Sequence, residues 1–504
     1  MIKNALFLLC FFVGYVSNLQ AQEFRLDSVA DNSFSGLLNG TNMNTTYFYY
    51  IDGGDAKKNV TNLVIKYVSD RFLDMSTINL EIDKSAFVQA STSIDGGFLL
   101  VIANPGAKSR TMMFVDFKGK VMKQNKEEGI DAKLLTNDNF YYVAGIMPMG
   151  VVTLCKSGTN GGYTLSKFDQ ELKQEWTKEI TAEGQFDIVS AKVVMDRLIV
   201  LTRETKAGKQ PIVQSRLMTY LCADGHVLFD NILKDGDDYC LPTFLNVGDN
   251  SMTVGGEYFK GGKYNKGAAL GLMMFQLDEA GNASKTIKLP MATIHTFLPD
   301  AAISTISSKG MLLAMDGFTN EKGTSSIVCE VVDNNYIESA KQSEVTVSDL
   351  MCITVDMDGG MEKLELVKSI SPINLTLKGS LATGNILGLS SWLVRNKLVH
   401  YRFSMLGRGA SRFCYFNIEH TKPHMIFAAA TNLADDKGIE PFLLRLPEIE
   451  KKINWASKIV LDDAGYTNKK CLDWRKIDMI SKGTNIQMYN FIAPQLVIAQ
   501  ERNL

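Results

Sequence analysis

Met112-Met113-Phe114-Val115-Asp116-Phe117-Lys118-Gly119 is the stretch whose reading decides the fold. An apolar strand runs into an Asp, two residues follow, and a Gly precedes the next strand. An Asp accepts hydrogen bonds from backbone N–H groups just after it, and Gly takes the left-handed conformation that a tight reversal needs. The phrase therefore predicts a β-hairpin turn. It recurs at Leu165–Leu172 (closing on Trp176), Met218–Gly225 and Met274–Gly281, with a weaker copy at Val328–Asp333. Taken as anchors, Asp116, Asp169, Cys222, Asp278 and Asp333 lie 53, 53, 56 and 55 residues apart.

A degenerate copy at Val64–Asp70 precedes these, and a late one runs from Leu443 to Glu450, closing on Trp455. Asp333 to Pro447 is 114 residues, so the spacing predicts one further unit near 350–400 without the signature, and eight phases in all. Each unit carries an upstream apolar strand, such as Gly97–Ile102, Leu198–Leu201 or Met311–Met315. Units of about 50 residues holding three or four short strands read as propeller blades. The expected fold is all-β, a β-propeller of seven or eight blades built from such repeats. The (Phe/Leu)-Asp-x-x-Gly turns resemble those of the broad PQQ-like, Kelch-like and WD-type propeller group, which implies an architecture and no activity. The tail strands Gln487–Ile492 and Gln495–Ala499 are expected to supply late strands, one of them completing the first blade and hiding a sheet edge.

The chain has 504 residues, 45% hydrophobic and 21% charged, with net charge −2. That apolar share excludes a disordered chain, and the charge balance argues against a nucleic-acid partner. Lys3, the apolar run Ala5–Val16 and the polar-to-small Ser17–Ala21 form a signal peptide with cleavage before Gln22 or Glu23. The run is short for a transmembrane span, and no later stretch reaches that length. The expected organisation is residues 1–21 signal peptide, 22–44 N-terminal lead-in and 45–504 propeller, in a periplasmic or secreted protein without a transmembrane segment after signal removal. The leader, ending in Ala-Gln, resembles those of exported Bacteroidetes-type proteins. Seven cysteines remain after Cys10, an odd number without a C-x-x-C, and strand-like surroundings make them buried thiols. A Cys222–Cys240 disulfide stays open.

Signatures of hydrolase elbows, P-loops and zinc proteases are absent from the sequence. Ser93-Ile94-Asp95-Gly96-Gly97 matches half of a sialidase box and reads as a hairpin turn. Gly407-Arg408-Gly409 begins like a dinucleotide fingerprint without completing it. Pro423 argues against a helix bringing His420 and His424 together, and on a strand they would stand about 13 Å apart, so no zinc site is expected. Asp235–Asp238 and Asp356–Gly360 resemble calcium loops and equally resemble turns. Neither a metal nor a cofactor is expected. Asp95, Asp237 and Asp316 are the carboxylates from which a glycosidase pair could be built.

The candidate ligand-binding residues are Tyr258, Phe259, Lys260, Lys263, Tyr264 and Lys266, three aromatics and three lysines in one Gly-rich loop. They suit sugar rings or an anionic partner, and the bland alternative roots the aromatics in the core. Tyr47–Tyr50 reads as a first-blade strand. Loops 104–110, 203–210 and 257–267 each carry +2 and 155–162 carries +1, against 0 for 319–326, −2 for 356–360, +2 for 406–412 and −2 for 435–440. A basic rim is expected to gather Lys108, Arg110, Lys206, Lys209, Lys260, Lys263 and Lys266. The functional expectation is a non-catalytic exported propeller binding a protein or glycan, an anionic one included. The alternative is a propeller glycoside hydrolase or lyase working at the central channel.

Overall fold

This computed structural model describes residues 22–26, 34–38, 45–52, 59–69, 75–94, 96–136, 141–146, 150–157, 162–181, 184–206, 212–248, 251–263, 269–298, 300, 311–320, 323–356, 360–368, 373–378, 413–420, 425–432, 438–446, 452–454, 459–460, 477–482, 485–492 and 495–501, with side chains within 59–364. The chain divides into two compact units, residues 36–398 and the paired chain ends 1–35 with 399–504. The fold is an all-β propeller, and its described strands form eight antiparallel sheets.

The first sheet holds β2 (Phe34–Leu38), β3 (Thr45–Asp52), β4 (Val60–Ser69) and β5 (Met75–Asp83), after β1 (Gln22–Leu26), which belongs to the last sheet. The second holds β6 (Phe87–Ile94), β7 (Gly97–Asn104), β8 (Ser109–Asp116) and β9 (Val121–Glu128). The third holds β10 (Tyr141–Ile146), β11 (Gly150–Ser157), β12 (Gly162–Phe168) and β13 (Gln174–Ile180). The fourth holds β14 (Gly184–Val194), β15 (Arg197–Lys206), β17 (Arg216–Leu221) and β18 (Val227–Ile232), with the short β16 (Ile212–Val213) beside β15. In the fifth, β19 (Lys234–Asp235) precedes β20 (Asp238–Val247), β21 (Met252–Lys260), β22 (Gly271–Leu277) and β23 (Ala283–Pro290), and the short helix α1 (Met291–His295) follows.

The sixth sheet is β24 (Met311–Thr319), β25 (Ser325–Ile337), β26 (Gln342–Val355) and β27 (Met361–Lys368), with β28 (Ile373–Lys378) paired to β26. In the unit formed by the chain ends, the seventh sheet is β29 (Phe413–His420), β30 (Met425–Asn432), β31 (Gly438–Leu446) and β32 (Lys452–Asn454), with β33 (Ile459–Val460) on β31. There too, β34 (Ile477–Lys482), β35 (Asn485–Ile492) and β36 (Gln495–Glu501) form the eighth, and β1 completes it, Gln22 opposite Gln500 and Leu26 opposite Leu496. The expectation that the tail completes the first sheet is thus corrected: the N-terminal strand completes the last one. The unpaired edge of β36 is covered either way, which is what an exposed edge demands.

Strands with both faces buried supply the core. On β7, Phe98, Leu100 and Ile102 face the first sheet, packing with Leu63, Ile65, Ile78 and Leu80. The alternate residues Leu99 and Val101 face the third, packing with Val143, Val151, Phe168 and Leu172. Period-2 side-chain alternation with apolar residues on both faces produces the continuous apolar runs seen in the sequence. Similar cores fill the junctions of the third with the fourth sheet, the fourth with the fifth and the fifth with the sixth.

Asp116, Asp169 and Asp278 occupy equivalent turns between the third and fourth strands of their sheets. Asp116 Oδ1 accepts from the backbone N–H of Lys118 at 2.9 Å and Lys120 at 2.8 Å. Asp169 does the same for Glu171 and Lys173, both at 2.8 Å. Asp278 does so for Ala280 at 2.9 Å and Asn282 at 2.8 Å. The third turn residue is left-handed in all three, Gly119 at φ 89°, Leu172 at 58° and Gly281 at 79°. The pairing slips by one residue just before each turn, as a bulged hairpin requires. Replacing Asp116 or Asp169 with Ala removes two side-chain hydrogen bonds, and replacing Asp278 removes a third as well, from Asn282 Nδ2 to its Oδ2 at 3.2 Å. Each substitution should lower stability by about 1 kcal/mol, read from urea denaturation, with Asp278 at least as costly as the other two, and clearly unequal losses at Asp116 and Asp169 would show that their turns are not equivalent.

Two anchors are corrected. In the fourth sheet the turn starts at Leu221, whose N–H donates to His226 O at 2.8 Å, and Asp224 takes over the capping of His226 N. Asp333 stands within β25, opposite Thr346. The corresponding turn of the sixth sheet is Asp356–Gly360, where Asp356 Oδ1 accepts from Gly360 N at 2.7 Å. Within the stretch that the spacing assigned to a further unit, the described strands β27 and β28 both pair with β26 in the sixth sheet, and the eighth sheet comes from the two chain ends instead.

Candidate functional site

The residues singled out by sequence lie where β21 leaves the fifth sheet. Tyr258 and Phe259 are 5% and 1% exposed, Tyr258 packing with Leu233, Cys240 and Met273, so neither ring is presented to solvent. Alternation on a strand buried on both faces places both rings inside, and the aromatic platform is corrected to that extent. Lys260 and Lys263 are exposed around the Gly261-Gly262 turn. Tyr264, Lys266 and Lys209 lie outside the described residues.

One feature joins this turn to the fourth sheet. Lys206 pairs with Ile212 of β16, and Ile212 bridges to Lys263. The Val213 N–H donates to the Gly262 carbonyl at 2.8 Å. Directly opposed residues in a ladder share a face. Lys206 and Lys263 therefore flank Ile212 on one face, about 10 Å apart across two strand spacings. Lys260 stands opposite Asp238. Lys288 pairs with Asp235 at 2.7 Å and Asp238 at 2.9 Å, and Lys234 lies 5.5 Å from the centre of the Tyr239 ring. Of these lysines, Lys288 is neutralised by Asp235 and Asp238, while Lys206 and Lys263 flank Ile212.

The wider basic rim is corrected in two respects. Arg110 is buried. It donates to Gln89 Oε1 at 3.0 Å and Leu134 O at 3.5 Å, and meets Glu127 at 3.7 Å. Lys108 is exposed, in a left-handed conformation at φ 49°. In the sixth sheet, loops 319–326 and 356–360 lie at the end opposite the turn between β25 and β26, so they do not correspond to loops 104–110 or 257–267. The sequence does not reveal this, because the Asp333 anchor falls inside β25 and puts that sheet out of phase.

Buried ionisable groups form a second feature. Arg203 on β15, Glu257 on β21 and Glu330 on β25 are all buried, on the second strands of three successive sheets. Burial pushes the Glu257 carboxyl up to about 7, with Arg203 pulling the other way. Such a value suits acid–base chemistry, but Glu257 is 4% exposed and packed in a strand. Asp316 is buried as well and accepts from Asn246 Nδ2 at 2.6 Å and Gly317 N at 2.8 Å, while Asp237 is held at the Gly261 turn through its carbonyl. Asp95 lies outside the described residues. Among the described residues no group of three His, Cys, Asp or Glu could hold a metal ion.

Cys155, Cys222, Cys240, Cys329 and Cys352 are free thiols, so Cys222 and Cys240 are not joined. Burial pushes Cys155 up to about 11 and Cys222 up to about 12. His424 and the Gly407 stretch lie outside the described residues, and Tyr47–Tyr50 falls on β3. Among the described residues no helix is long and apolar enough to cross a membrane.

With this geometry the chain can be set beside known proteins. No family model matches it, and no curated protein matches it. The solved structures it resembles include β-propellers. The Dos1 propeller shares 8% identity over 95% of both chains at a TM-score of 0.44. The β-propeller domain of the trilobed protease from Pyrococcus furiosus shares 9% over 84% of this chain and 98% of its own, at 0.38. The WD40 domain of SCAP from fission yeast shares 7% over 96% and 98%, at 0.41. The fold assignment rests on the sheets themselves.

Proposed function

We propose that this protein is an exported binding propeller that holds an anionic protein or glycan at the junction of its fourth and fifth sheets. The Lys206–Ile212–Lys263 ladder carries this reading. It joins two neighbouring sheets by backbone pairing and sets exposed lysines on either side of Ile212. A binding surface held by backbone pairing loses little entropy when its partner arrives. The apolar leader supports export, and the mature protein should begin at Gln22 or Glu23 when its N-terminus is sequenced. An intact Met1 in the purified envelope protein would sink that part.

Reversing Lys206, Lys260 and Lys263 together to Glu should abolish retention on an immobilised acidic polysaccharide. Retention by the unmodified chain should weaken as salt rises, because exposed charges are screened within about 8 Å at physiological ionic strength. Surface substitutions of this kind cost within about 0.5 kcal/mol each, so the melting temperature should hardly move. Retention unchanged in the triple variant, or insensitive to salt, would refute the assignment.

A further inference from the structure

Two of the strands that carry the lysines also carry a buried charge at a shared register. In the second, fourth, fifth and sixth sheets one strand is bulged at the same place (β6, β14, β20 and β24). Two ladder pairs past the bulge, its neighbour presents Ala103 opposite Phe87, Arg203 opposite Asp187, Glu257 opposite Leu241 and Glu330 opposite Leu313. Ala103 shows that a small neutral residue suits this position. The other three sheets bury a charged group there instead, which is costly in apolar surroundings. Lys206 stands three residues beyond Arg203 and Lys260 three beyond Glu257, each at the end of its strand and about 10 Å along it from the buried residue.

Tyr258 turns into the junction with the fourth sheet, so alternation turns Glu257 the other way, toward Cys329 of β25. Around the carboxyl stand Arg203 of β15, Cys240 of β20 and Cys329, and burial keeps both thiols protonated. Tyr258, beside it on β21, is kept neutral in the same way. Glu330 follows Cys329 with its side chain on the other face of β25, and Asp187 lies across the ladder from Arg203. Burial pushes the Glu257 carboxyl up to about 7, against the smaller opposing pull of Arg203. Its change of charge therefore falls at neutral pH, in the strand that ends at Lys260.

We propose, on the reading that Lys206, Lys260 and Lys263 hold an anionic partner, that Glu257 regulates this binding by gaining and losing a proton. Protonated, the carboxyl leaves the attraction of the lysines undiminished. Ionised, it sets a negative charge beneath them, and the hold on an anion weakens. At an effective dielectric constant of about 20, a unit charge about 10 Å away changes the binding of one anionic group by roughly tenfold. Salt screens such a buried charge less than it screens the exposed lysines. The coupling is reciprocal: an anion on the lysines raises the proton affinity of Glu257 by the same factor, so binding near neutral pH takes up protons.

The test is calorimetric titration of the full chain with dextran sulfate, whose sulfates stay ionised throughout, at about pH 6 and about pH 8 and at one ionic strength. Glu257→Gln, neutral at both, should match the unmodified chain at about pH 6 and bind roughly five- to tenfold more tightly than it at about pH 8. His295 of α1, which follows β23 at the same end of the fifth sheet, is present in both chains, so its contribution cancels. At about pH 7 the heat of binding to the unmodified chain should vary with the ionisation enthalpy of the buffer in the sense of proton uptake, a measurement that needs no variant. Equal affinities of the two chains at about pH 8, or binding at about pH 7 without proton uptake, would overturn the regulation and leave the lysine site standing. Absent binding at both pH values, or binding indifferent to reversal of Lys206, Lys260 and Lys263 to Glu, would remove the lysine site and the regulation together.

Discussion

Glu257→Gln should make the protein more stable at about pH 8, by up to about 3 kcal/mol, and leave it nearly unchanged at about pH 4.5. The carboxyl has an ordinary value of 4.5 and is pushed up to about 7 by burial, an effect the Arg203 guanidinium opposes without cancelling. Below about 4.5 the group is protonated in folded and unfolded chains alike. As pH rises, the unfolded chain releases its proton first, and the folded chain keeps its own until about 7. The folded state thus binds more protons across that window, and stability falls as pH rises through it. At about 1.4 kcal/mol per pKa unit the loss comes to about 3 kcal/mol. Gln carries no titrating proton, so the variant should lose this slope. Urea denaturation of both proteins across the window measures it, and a wild-type stability that rises from 4.5 to 7 without a variant-dependent difference would contradict the account.

Leu172→Gly should be more stable than Leu172→Ala, by about 1 kcal/mol, although both fall well below the wild type. Leu172 holds the left-handed turn position at φ 58°, where its counterparts Gly119 and Gly281 have no Cβ. It stays because its side chain is 2% exposed in the core between the second and third sheets. Truncating a buried Leu to Ala costs about 2–5 kcal/mol and keeps the Cβ in the strained conformation. Gly loses slightly more packing and relieves the strain, which inverts the usual order of Ala above Gly. Met195 is a control, at φ 56° but 75% exposed. There Gly relieves strain with little packing to lose, and a gain of up to about 1 kcal/mol is expected. If Ala proves more stable than Gly at 172, burial and strain do not compete in this way.

The turns were legible because their chemistry is local. An Asp, the N–H groups two and four residues on, and a residue able to take positive φ are all encoded within five positions, as Asp116–Lys120 and Asp278–Asn282 show. Strand character was legible for the same reason, since Gly97–Ile102 needs only its own apolar run to be read. The lysines of the candidate edge were legible as loop charge. Their joining through Ile212 was not, because β16 is two residues long and its partner is some fifty residues away.

Amino-acid order alone determined the strands, the repeating turn and the all-β class, each a property of a few neighbouring residues. Tertiary structure decided the rest. It put Asp333 inside β25, because a turn without a left-handed residue after it yields to continued pairing with β26. It made the eighth sheet from β1 and the tail, a pairing between residues nearly the whole chain apart that no local pattern announces. It buried Tyr258, Phe259 and Glu257, since the neighbouring sheets determine which faces of a strand meet water.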